Sequence, residues 1–191
     1  MAQPTATYSL WLVPAGAQQV RLQGLIDTHA AAHALPRFYV HITLLPQFEG
    51  ELPALLAGCK TIQAAARGAL AVPLADVAAG LDAAHWRFRC VYLLAAAPHP
   101  PALLALRAAA AAALGLPPQQ GPYMPHLSLA YSECDAATRS AWAAQAREGA
   151  LAALGGPGAP LHCAALELWE TSAPDPALWA RVAAFPLPPA A

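Results

Sequence analysis

Charge is scarce in this sequence. Only 11% of its 191 residues are Asp, Glu, Lys or Arg, where a soluble domain usually carries about a quarter. The ten Lys and Arg are matched by eleven Asp and Glu and form no block. This speaks against broad electrostatic binding to duplex nucleic acid, which needs several phosphate contacts, and leaves a small phosphate-bearing ligand open. Aromatic residues are few, at 7%. No apolar run reaches the length of a bilayer span, because the longest, residues 94–116, is broken by His99, by prolines and by Arg107. The first ten residues lack a basic segment followed by an apolar one, so no secretory leader is expected. The expectation is a soluble, cytoplasmic, monomeric protein. An organellar form stays open, since a processed transit peptide leaves no trace.

The four cysteines, Cys59, Cys90, Cys134 and Cys163, form no C-x-x-C pair, which removes the usual structural zinc framework. They allow three disulfide pairings, and nothing in the sequence chooses among them; reduced thiols are the expected state. What the chain has in abundance is apolar residues, 58% of the total and rich in alanine, enough for a sizeable core. At this length that is one large domain or two small lobes.

Periodicity places the elements. Residues 8–13 and 38–45 read as strands, 17–33 as a helix with Leu22, Leu25, Ile26 and His29 on one face, and a second helix carries Leu52, Leu55, Leu56, Cys59 and Ile62. Residues 69–77 and the aromatic, β-branched stretch 85–95 read as strands. A helix over 101–114 opens with proline and closes before Gly115. Residues 125–131 read as a strand, and a helix over 135–148 has Asp135 as N-cap and Gly149 as C-cap. Two closing strands lie within 161–170 and 176–187. The order strand, helix, histidine strand, helix, strand therefore occurs twice. This predicts an α+β fold in which residues 1–191 form one bilobal domain: two pseudo-symmetric antiparallel sheets face a central cleft, with helices on the outer faces.

The chemistry concentrates in "HITL" and "HLSL". Side chains alternate along a strand, so His41 shares a face with Thr43 and His126 shares a face with Ser128, while Ile42, Leu44, Leu127 and Leu129 take the opposite faces. Two such strands facing each other line a cleft with two imidazoles and two hydroxyls. One neutral imidazole can take a proton from an attacking water and one protonated imidazole can deliver a proton to a leaving oxygen. The hydroxyls can donate to the non-bridging oxygens of a phosphate. Phosphodiester hydrolysis without metal or cofactor follows as the expected reaction class. Ser128 lies inside a strand, not on the sharp elbow of a serine hydrolase. Which histidine is base and which is acid is not decided by two nearly identical motifs. His29 and His33, four apart on a helix, are a conceivable metal pair without an evident third ligand; an exposed helical face is the expected reading. His85, His99 and His162 read as loop or strand-edge residues.

With "YSLWLVP", "VHITL", "RCVYLL", "PYMPHLSLAY" and "LELWET" in this order, the chain resembles the 2H phosphoesterases, which carry two H-x-[ST]-hydrophobic motifs, and most of all their plant and yeast cyclic phosphodiesterase branch. The resemblance spans nearly the whole chain, and the alanine-rich helices contribute little to it. It implies a bilobal fold with the active site between two sheets, His41 and His126 as the catalytic pair, and Thr43 and Ser128 as the phosphate-binding pair. It implies a small-molecule substrate: ADP-ribose 1″,2″-cyclic phosphate opened to the 1″-phosphate, a step downstream of tRNA splicing, and nucleoside 2′,3′-cyclic phosphates opened to 2′-phosphates. It further suggests Trp11 and Tyr131 as substrate-facing aromatics. Trp11 stands between stacking on a ligand and packing in the core. Strand parity sets Tyr131 with Leu127 and Leu129, away from His126, unless the strand ends at Ala130. Trp86 is expected to pack at a strand edge. The rivals are RNA-end processing or 2′–5′ ligation on the same scaffold, a non-catalytic nucleotide-binding module, and an ordinary α+β domain.

Overall fold

The fold is described here from a computed structural model, over residues 6–80, 88–117 and 121–189. The elements run β1 (Thr7–Pro14), α1 (Gly16–His33), β2 (Ile42–Glu49), α2 (Leu52–Ala65), β3 (Leu70–Ala79), β4 (Val91–Ala95), α3 (Pro101–Ala113), β5 (His126–Ala130), α4 (Ala136–Leu154), β6 (Pro160–Glu170) and β7 (Ala180–Pro186). A short 3-10 turn, Pro176–Leu178, precedes β7.

The strands form one sheet, not two. Their order is β1-β2-β5-β4-β3-β6-β7, and a further antiparallel pairing of β1 with β6 closes the first six into a ring. The closure works because β6 is long. Its one edge pairs with β1 from Tyr8–Glu170 to Pro14–Cys163, and its other edge serves β3 over Pro160–Cys163 and β7 from Ala165 onward. Exchanging β1 with β4, β2 with β5 and β3 with β6 leaves the ring order unchanged. The duplicated element order in the sequence thus has a counterpart in the strand order.

One face of the ring packs under the helices. Leu10, Leu12, Ile42, Leu44, Leu127 and Leu129 join Leu22 and Ile26 of α1, Leu55, Cys59 and Ile62 of α2 and Leu103 of α3 in a single apolar core. Their 2-residue spacing in strands and 3- to 4-residue spacing in helices put each of them on the core side. The alternate strand residues turn the other way, where Trp11, Val13 and Trp169 form a separate cluster with Tyr39 and Trp179 against it.

Several boundaries differ from the sequence expectation. The ladder of β2 begins at Ile42, with Phe38–His41 as its extended approach, and continues through Pro46 to Glu49. The strand expected over 85–95 is laddered only over Val91–Ala95, and its residues 85–87, with His85 and Trp86, lie outside the described residues. Helix α4 does start at the Asp135 cap, whose side chain accepts from the Thr138 amide at 2.9 Å. It does not stop at Gly149. That glycine lies against Leu25 of α1, where a Cβ would sit 3.3 Å from the leucine side chain, so it serves helix packing. The helix stops instead at Gly155 (φ 109), where the Gly156 amide returns to the Leu151 carbonyl at 2.9 Å. Nor are His29 and His33 an exposed face. His29 is buried beside Trp142 of α4, its ring centroid 4.5 Å from that of His33, and its Nε2 is a buried side-chain atom without a partner. Among the described residues no cluster of three metal-ligating side chains exists. All four cysteines are free; Cys90 and Cys134 bring their sulfurs to 3.7 Å. Among the described residues no helix is long and apolar enough to cross a membrane.

Candidate active site

The two histidine motifs meet at a single point of the ring. Strands β2 and β5 are joined through one residue pair, Ile42 opposite Leu127. Extending that antiparallel register one residue each way sets His41 beside Ser128 and Thr43 beside His126, all on the face opposite the apolar pair. His41 and His126 are then diagonal neighbours, for which Cβ separations of about 7–8 Å are usual.

Both rings are fixed by the same local device. His41 Nδ1 donates to the carbonyl of Tyr39 at 2.6 Å, and His126 Nδ1 donates to the carbonyl of Met124 at 2.9 Å. A carbonyl can only accept, so the neutral His41 ring carries its proton on Nδ1 and its lone pair on Nε2. The extended Y-V-H and M-P-H approaches make this two-residue return possible.

The surroundings of the rings differ. His41 is buried and lies face to face with Trp11, centroids 3.6 Å apart and planes 7° from parallel. Burial pushes its pKa down to about 3; the Tyr39 carbonyl opposes this and the charge of His126 adds to it. Among the described residues, the ring contact of His126 is an edge contact with Tyr92 at 5.3 Å. Its pKa is also lowered, first by burial and further by Arg89, against hydrogen bonds to the Met124 and Phe88 backbone. Arg89 was not among the expected site residues. It stands two positions before Val91 in a stretch read only as strand.

A cleft of about 460 Å³ opens over His41 and Thr43, lined also by Ser9, Trp11, Pro46, Gln47, Phe88, Tyr131, Thr171 and Trp179. His126 and Ser128 flank it beneath the Phe88 backbone, whose carbonyl accepts the Ser128 hydroxyl at 2.9 Å. The structure therefore brings the four motif residues to one seam, with the first pair open to the cleft and the second pair against Phe88. Trp11 is 2% exposed, and its face is taken by His41 on the cleft side and by Trp169 at 4.5 Å. It stacks on the imidazole and also contributes to the cleft lining. Tyr131 does reach the cleft. Strand β5 ends at Ala130, which releases Tyr131 from the alternation, and its ring stacks on Phe38 at 3.8 Å. Ser9 and Thr171, whose hydroxyl oxygens lie 3.5 Å apart, were missed although strand parity carries them: Ser9 shares a face with Trp11, and Thr171 shares one with Trp169. Phe88 and Trp179 had no sequence signal of their own.

A family profile for the 2′-5′ RNA ligase superfamily matches residues 11–175, most of the chain. No curated protein sequence matches. Among solved structures, one described as a phosphoesterase aligns over 96% of this chain and 99% of its own at 15% identity with a TM-score of 0.61. LigT of E. coli in its apo form aligns over 97% and 99% at 17% identity (TM-score 0.59), and the same protein complexed with 3′-AMP over 96% and 98% at 16% identity (TM-score 0.60). At these identities the structures establish a shared fold.

Proposed function

This chain belongs to the 2′-5′ RNA ligase superfamily, whose members act on phosphodiester bonds, and we propose that it is a metal-independent cyclic phosphodiesterase with His41 and His126 as its acid–base pair. The observation that supports the proposal is the seam at Ile42 and Leu127, whose register carries an imidazole and a hydroxyl from each motif on one face. The strand order supports reading the chain as two related lobes, one motif to each.

In this reading His41 is the base. Its buried ring is neutral at pH 7, with the Nε2 lone pair available to a water molecule. His126 is the acid. A bound phosphate anion next to it favours the protonated ring and offsets the effect of burial. Water attacks phosphorus as His41 takes its proton; the phosphorus–O3′ bond breaks as His126 protonates the leaving oxygen, and a 2′-phosphate results. Thr43 and Ser128 donate to the non-bridging oxygens, and Ser128 leaves the Phe88 carbonyl to do so. The aromatic cleft wall of Phe88, Tyr131 and Trp179 offers a nucleobase surfaces to pack on. Nucleoside 2′,3′-cyclic phosphates and ADP-ribose 1″,2″-cyclic phosphate are the proposed substrates. RNA-end processing or ligation remains the second reading, favoured by the family's description. Against it, the described cleft lining contains no Lys or Arg to track a polynucleotide backbone.

The test is phosphorus NMR of 2′,3′-cyclic AMP with the protein. A 2′-phosphate product is expected, and a 3′-phosphate or no turnover would overturn the assignment. His41→Ala and His126→Ala should each lower kcat by about 10²–10⁴-fold, and EDTA should leave the rate unchanged; loss of activity in EDTA would contradict the two-imidazole mechanism.

A further inference from the structure

We propose that Glu167 and Trp169 are positioning residues for His41, an inference that rests on the reading of His41 as the base. The His41 ring is held by two contacts, and both lead to Trp169. Through its face, His41 stacks on Trp11, and Trp11 stacks on Trp169 at 4.5 Å and 23°. Through its Nδ1, His41 bonds the Tyr39 carbonyl, and the Tyr39 ring lies 5.2 Å from Trp169. Trp169 is itself tied down: its indole N–H donates to Glu167 Oε2 at 2.8 Å. The other carboxylate oxygen takes Arg181 at 3.0 Å.

Glu167 is 3% exposed and directly opposite Trp11 in the β1–β6 ladder. A carboxylate is expensive to bury, and a well-packed apolar residue at such a position is often at least as stabilising. What the carboxylate supplies and an apolar residue does not is a fixed orientation for the indole. Neither Glu167 nor Trp169 lines the cleft, so their effect on the reaction passes through Trp11 and Tyr39. Beyond its backbone bonds to Met124 and Phe88, the ring contact of His126 among the described residues is the edge of Tyr92, with no stack beneath it. Two motifs nearly alike in sequence are thereby made unlike: the first ring rests on a stack anchored to a buried carboxylate that is held by the half-exposed Arg181. Small misplacements of a base cost large factors in rate, so the anchor belongs to kcat more than to binding.

The experiment compares Glu167→Ala, Glu167→Gln and Trp169→Phe. Glutamine still accepts from the indole, whereas alanine and the phenylalanine variant each abolish that bond. Turnover of 2′,3′-cyclic AMP should fall about tenfold in Glu167→Ala and Trp169→Phe with KM within about twofold, while Glu167→Gln stays within about threefold of the parent. In nitrogen-resolved NMR of the imidazoles, the His41 Nδ1–H signal should broaden in the first two variants and stay sharp in Glu167→Gln, with the His126 signals unmoved in all three. Unchanged His41 signals in Glu167→Ala and Trp169→Phe would overturn the proposal, as would a rise in KM at constant kcat or an equal disturbance of both histidines. Should Glu167→Ala fail to fold, Trp169→Phe decides by the same readings. If the parent hydrolyses no cyclic phosphate, the proposed function fails while the ring signals still decide this inference.

Discussion

Acid should destabilise this protein through His41 in a calculable way. The ring's pKa is 6.5 when unfolded and about 3 when folded. Between these values the unfolded chain binds a proton that the native state refuses. Stability from this group is therefore complete above about pH 6.5 and is lost progressively as pH falls toward 3. From pH 7 to pH 5 the loss is about 2 kcal/mol, at 1.36 kcal/mol per unit of difference. The face of Trp11 favours a cation and works against burial, by about 1–2 kcal/mol for such contacts. Even with that offset the pH 7 to 5 loss remains near 2 kcal/mol. Burial therefore wins over the stack. The assay is urea unfolding of the parent and of His41→Phe at pH 7 and pH 5. Phenylalanine keeps a ring over Trp11 and cannot titrate. The parent should lose about 2 kcal/mol more than the variant over this interval, with equal m-values. Equal losses, or a His41 ring that titrates near pH 6 in NMR, would refute the description of His41 as a buried neutral base.

Further outcomes follow from packing and burial. On α2, a Cβ at Gly58 would stand 2.7 Å from a Leu114 methyl and 2.8 Å from the Ala113 carbonyl oxygen, whereas one at Gly24 on α1 meets nothing within 4 Å. Thermal or urea unfolding should show Gly58→Ala losing about 1–3 kcal/mol and Gly24→Ala gaining about 0.5–1 kcal/mol. Burial raises the Cys59 thiol to about 11 and Cys163 to about 12, and burial with the adjoining Cys134 raises Cys90 to about 12. An aromatic disulfide reagent should label only the half-exposed Cys134 in the native protein and all four thiols in urea; rapid native labelling of a second thiol would contradict the packing.

The parity of His41 with Thr43 and of His126 with Ser128 was legible because strand alternation is a strict period of two. Asp135 as a cap was legible because the signal is local. What the sequence could not carry is which strands become neighbours. The single ring, in place of two separate sheets, depends on β6 serving three partners along its two edges, a long-range outcome. The role of Trp11 was hidden for the same reason: its partners Glu167 and Trp169 are more than 150 positions away in the chain. Gly149 was misread as a stop because a glycine that admits a neighbouring helix and one that ends a helix look alike in a sequence. Tyr131 was placed wrongly by parity and rightly by the condition attached to it, the end of the strand at Ala130.

The pairing of β2 with β5 through Ile42 and Leu127 alone has a mechanical consequence. Where β1 and β6 are stitched along most of their length, this junction is a crease, the least laddered line in the barrel wall among the described residues. The four polar side chains straddle that crease, two on each bank. In the proposed reaction, phosphorus would pass from four to five oxygens over the line where the fewest ladder bonds hold the two banks together.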